Sequence, residues 1–78
     1  MTTRIARVLS NVFGVNAAEI TETTSQDTLE GWDSLNHIHL VASLESEFRV
    51  SFTTDQALAM TSVAAIRAAL SEHGVAGD

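Results

Sequence analysis

Ile5, Val8, Leu9 and Val12 recur at i, i+3, i+4 and i+7, the spacing that lays one apolar stripe along a helix. They predict a helix over residues 3–13, with Thr2 or Thr3 as its cap and Gly14 as the residue that ends it. No helical period is sustained over residues 14–33, where Thr21, Thr23, Thr24, Ser25 and Thr28 surround isolated apolar residues Val15, Ile20, Leu29 and Trp32. A connection this long is uncommon in a compact domain, and the apolar residues predict a loop pinned to the core, with Trp32 as an anchor. A second helix is predicted over residues 34–48, with Asp33 as N-cap. Leu40, Val41, Leu44 and Phe48 fall within an arc of about 100° at the helical period, which makes them its core face. Leu35, Ile38 and Ala42 form a narrower second stripe, open to a partner or set against a neighbouring helix.

Beyond the second helix, Val50 and Phe52 read as loop anchors, because an isolated strand has nothing to pair with. A short helix follows over residues 54–59, introduced by the capping-box spacing of Thr53 and Gln56. A last helix over residues 63–73 is capped by Ser62 and closed by Gly74, with Val63, Ile66 and Leu70 pointing inward. Residues 75–78 read as a frayed tail. The predicted fold is all-α: one domain over residues 1–78, a four-helix bundle of three main helices and a short third, with a long loop between the first two.

Composition narrows what such a bundle does. With 78 residues the chain buries only about 60% of its unfolded surface, too little for a deep catalytic cleft. Ten acidic residues against four arginines give a net charge of −6, which argues against nucleic acid and anionic membranes, since both need clustered cations. It favours solubility and basic partner surfaces. The absence of cysteine excludes disulfides, a thiolate nucleophile and Cys-based zinc sites. Nothing approaches the roughly 18 apolar residues of a membrane span, and Met1-Thr2-Thr3-Arg4 is not a signal-peptide start. A cytoplasmic monomer is expected.

The chemistry concentrates at Gly31-Trp32-Asp33-Ser34-Leu35, where the loop meets the second helix. Ser34 stands there at a helix N-terminus. Ser34, His37 and Asp33 invite a hydrolase reading, but a triad needs a preorganised pocket and an oxyanion hole for which the bundle has little room. His37 and His39 diverge by about 200° on a helix and do not share a metal ion, so no metal site is expected. His37 falls in the core arc and reads as a partly buried, hydrogen-bonded histidine. His39 falls on the exposed side, and His73 reads as a partner of its helix's C-terminal dipole.

Asp33-Ser34-Leu35, followed ten residues on by Leu44-Glu45-Ser46-Glu47-Phe48 in an acidic helical chain of this length, resembles the acyl carrier protein family over essentially the whole sequence. The resemblance implies a four-helix acyl-carrier fold and no catalytic residue. It also implies a 4′-phosphopantetheine arm joined covalently to the Ser34 hydroxyl by a phosphopantetheinyl transferase. The arm's thiol then carries acyl groups as thioesters between acyl-loading and acyl-processing enzymes. By the same resemblance Asp33 and Leu35 are transferase-recognition positions, and Ile38, His39, Ala42 and Glu45 continue the partner-facing surface. Asn36 and His39 stand where housekeeping fatty-acid carriers commonly have acids, and Trp32 where they have a small residue. These departures look more like a discrete carrier from a specialised bacterial pathway, such as polyketide, nonribosomal peptide or lipid-modification assembly. The alternatives are an aminoacyl or peptidyl carrier of a nonribosomal-peptide or D-alanyl-type system, and a cofactor-free helical interaction module.

Overall fold

A computed structural model describes residues 3–75. Its helices are α1 (Arg4–Phe13), α2 (Ser34–Phe48), α3 (Thr54–Ala59) and α4 (Val63–Glu72), with a 3-10 turn at Ala17–Glu19 inside the long loop. The all-α four-helix bundle expected from the sequence is what forms. Candidate cap Thr2 and tail residues 76–78 lie outside the described residues.

Each helix starts where a side-chain oxygen takes up an orphan amide of its first turn. Thr3 accepts from the Ala6 N–H, Asp33 from Asn36, Thr53 from Gln56 and Ser62 from Ala65. At α3 the Gln56 side chain also accepts from the Thr53 N–H, completing the capping box. Gly14 ends α1 in the left-handed region at φ 68°, as its place after the apolar stripe predicts. The end of α2 is different: Arg49 takes φ 56° without being glycine, and its N–H bonds the Glu45 carbonyl. No glycine marks this stop in the sequence.

Helices α1 and α2 run antiparallel. Arg4 at the start of α1 meets Glu47 at 2.9 Å near the end of α2 and lies 4.5 Å from the centre of the Phe48 ring. At the other pole, Phe13 packs against Trp32 just ahead of α2, ring centres 5.2 Å apart. Between these poles Ile5, Leu9, Leu40, Leu44, Ile66 and Leu70 are fully buried, each contributing about 1.5–3 kcal/mol. Val8, Trp32, Phe48, Val63 and Ala69 join them in the core, together with Met60, a fully buried residue that the periodic stripes did not single out. Val12 and Val41 are only partly buried at its margin.

The long loop is bonded through its hydroxyls rather than by a helix. Thr24 Oγ1 accepts from the Thr21 N–H, Thr28 Oγ1 from Ser25 and Ser25 Oγ from Asp27, local bonds that compete with helix. The loop then reaches the start of α4. The Val63 N–H donates to the Thr24 carbonyl and the Gln26 N–H to Thr61, around a single bridge between Ser25 and Ser62. Arg67 on α4 adds an ion pair to Glu22 at 2.7 Å. Ile20, Leu29, Val50 and Phe52 pack against the core, as expected for loop anchors. Val75 corrects the expectation of a frayed tail at its own position: it packs against the core as well, and its N–H donates to the Leu70 carbonyl at 3.0 Å. His73 corrects one expectation. Rather than serving only its own helix end, its ring bonds Gln56 Oε1 at 3.0 Å and meets Phe52 edge-on, which joins α4 to α3. No helix among the described residues is long and apolar enough to cross a membrane.

Leu44→Ala should lower stability by about 2–5 kcal/mol, read from urea denaturation followed by circular dichroism. Ile38→Ala, on the opposite exposed face, should shift the midpoint by less than about 0.5 kcal/mol. Equal losses would show that the two faces of α2 are misassigned.

Candidate functional site

Ser34 is the first residue of α2 and is exposed. Among the described residues no hydrogen bond holds its Oγ. The first-turn amides of a helix have no preceding helical carbonyl to bond, so this hydroxyl sits at the positive end of a fifteen-residue helix. A covalently joined phosphodiester fits there on charge and on access.

The segment leading into Ser34 is fixed from several sides. Gly31 turns at φ 91°, a conformation that favours glycine. Its carbonyl accepts the Asn36 side-chain amide at 2.7 Å and the Asp33 N–H at 3.0 Å. Asp33 caps α2 through the Asn36 N–H at 2.9 Å. Trp32, only 8% exposed, is the anchor its position in the loop suggested. Its indole N–H donates to His37 Nδ1 at 3.1 Å, and His37 Nε2 lies 2.7 Å from the Ala57 carbonyl on α3. His37 is thus the partly buried, hydrogen-bonded histidine predicted, and it ties the loop, α2 and α3 together. With Gln26, Trp32 and Asp33 it lines a recess of about 300 Å³ beside Ser34.

These bonds dispose of the triad. The two His37 ring nitrogens meet Trp32 and Ala57 and not Ser34, so the imidazole is not placed to take the Ser34 proton. The Asp33 carboxylate serves the helix cap and not the imidazole. The arrangement leaves the Ser34 hydroxyl exposed and unactivated.

The remaining candidate residues fall on one outward surface of α2. Leu35 and Ile38 are about two-thirds exposed, and His39 and Ala42 are exposed as well. Glu45 is half-buried, with one carboxylate oxygen accepting the Phe52 N–H at 2.9 Å. Leu58 on α3 is 69% exposed and was not singled out by the sequence reading. The only signal was a large apolar residue in a six-residue helix with no stripe to join. Gln26, on the wall of the recess, was missed too, because nothing local shows that the loop folds back to Ser34.

Asp33→Ala should cost about 1 kcal/mol through loss of the cap. In a chain labelled for amide exchange, protection should fall first at Asn36 and its neighbours. Unchanged exchange there would mean that the cap contributes nothing. A family model described as the phosphopantetheine attachment site matches residues 3–70.

Proposed function

Because the chain belongs to the phosphopantetheine attachment-site family, we propose that Ser34 is the residue that carries the arm. Carrier domains of this family hold 4′-phosphopantetheine covalently, are not themselves catalysts, and work with transferases and acyl-processing enzymes. That membership sets aside the cofactor-free interaction module. The reading of Ser34 rests on its exposed, unengaged hydroxyl at the head of α2. The amides and dipole of the helix end favour the phosphodiester charge once it is made. The group supplies the thiol that a chain without cysteine lacks.

The cargo in this reading is an acyl group held as a thioester, and the carrier is a cytoplasmic monomer of a specialised pathway. Leu35, Ile38, His39 and Ala42 form the surface on which transferase and acyl-handling partners dock. Asp33 and Glu45 flank it, each with one carboxylate oxygen already committed within the chain. Loading with acyl donors against candidate aminoacyl-adenylating enzymes separates an acyl cargo from an aminoacyl or peptidyl one.

Incubation with coenzyme A and a broad-specificity phosphopantetheinyl transferase should add the mass of one phosphopantetheine to the chain and nothing to Ser34→Ala. An unmodified wild type, or equal gain on the variant, would defeat the assignment. Ile38→Glu should leave the fold intact and slow modification by about tenfold or more, the scale of a centrally placed interface side chain.

A further inference from the structure

We propose that His37 is a proton-operated latch on the segment leading into Ser34: the neutral imidazole holds Trp32, and the protonated imidazole releases it while keeping its hold on α3. The consequence for access to Ser34 rests on the attachment reading above, but the latch itself does not.

The bonding of the ring fixes its protonation. An indole N–H only donates and a backbone carbonyl only accepts. His37 Nδ1, 3.1 Å from Trp32 Nε1, therefore carries no proton, and Nε2, 2.7 Å from the Ala57 oxygen, carries one. Only one tautomer of the neutral ring satisfies both contacts. A proton added at Nδ1 sets two N–H groups against each other and breaks the link to Trp32. The same proton turns the Nε2–H bond to Ala57 into a charge-assisted one, which is stronger. One protonation event thus acts in opposite directions on the two neighbours of the ring.

The released indole N–H belongs to a residue only 8% exposed, where an unpaired donor is costly. The strain falls on residues 31–33, which lead directly into Ser34. Within that stretch the Gly31 carbonyl keeps its bonds to Asn36 and Asp33, so the change is a local loosening and not unfolding.

Other titratable groups lie around the ring. Asp33 shares its recess, and Asp27 and Glu30 line the adjoining one against Trp32 and Asp33. On α3, Asp55 lines the groove toward α4, and on α2 itself His39 is exposed on another face. All of these stay in place in His37→Gln, which therefore isolates the imidazole.

The test uses the unmodified, isotope-labelled chain, in which the single tryptophan gives one unambiguous indole signal. At pH 8 the His37 ring should show a bare Nδ1 and a proton on Nε2. Between pH 8 and pH 5, the range in which histidines commonly change charge, the indole N–H resonance should shift away from its hydrogen-bonded position. Its midpoint should be that of the His37 ring signals. Amide exchange over residues 31–33, corrected for its intrinsic pH dependence, should rise by about tenfold while α3 stays protected. His37→Gln should abolish the indole transition, whereas His39→Gln and His73→Gln should keep it. A proton on Nδ1 at pH 8, an indole signal indifferent to the titration of His37, or a transition that survives in His37→Gln would overturn the latch. If His37→Gln does not fold, the wild-type ring and indole signals decide alone. Failure of Ser34 to accept phosphopantetheine would leave all of these readouts standing.

Discussion

The packing of α2's inner face is the constraint on which the rest depends. Leu40, Leu44 and Phe48 bury themselves against α1 and α4, and at helical spacing this turns Leu35, Ile38 and Ala42 outward. A helix with apolar residues on two faces has no single preferred inside when alone. The stripe on α1 settles the choice, because Ile5 and Leu9 need a partner surface of matching length. The side of α2 that carries Ser34 and its exposed neighbours is thus decided by the side that does not.

The antiparallel arrangement separates the two ends of the molecule chemically. At the far end Arg4 pairs with Glu47 beside the Phe48 ring. This pair is partly exposed and worth at most about 1 kcal/mol, more useful for register than for stability. At the Ser34 end the contacts are aromatic and hydrogen-bonded: Phe13 against Trp32, and Trp32 to His37. The loop's acids Asp27, Glu30 and Asp33 line the recesses there. Negative charge gathered at the end that carries Ser34 attracts any basic surface that approaches it.

Helix α3 is attached in a different manner from the other three. None of its residues is buried. It is held instead by His37 through the Ala57 carbonyl, and by His73 and Glu72 through the two ends of the Gln56 side chain. Elements with few buried apolar contacts open at lower free energy than the core. The only large apolar side chain α3 offers, Leu58, points into solvent beside a helix that already exposes Leu35 and Ile38. Polar ties to a neighbour leave that side chain available for contact with another molecule.

What the sequence determined by itself was local or periodic. The bounds of α2 and α3, the caps at Asp33, Thr53 and Ser62, and the αL stop at Gly14 all follow from side chains acting within a turn of their own backbone. The buried stripes of α1, α2 and α4 follow from repetition, and Ser34 stood out as a serine at a helix head within a motif. The tertiary structure decided what depends on residues far apart in the chain. Met60 has no period to reveal it and is buried because it joins the core that residues distant in the chain build. Arg49 takes a left-handed conformation that nothing beside it announces. His37 could be placed on the core side from the sequence, but its partners Trp32 and Ala57 meet it only once the loop and α3 have closed around α2. Spacing along a chain fixes which face a side chain is on, whereas the atom waiting on the other side is fixed by packing.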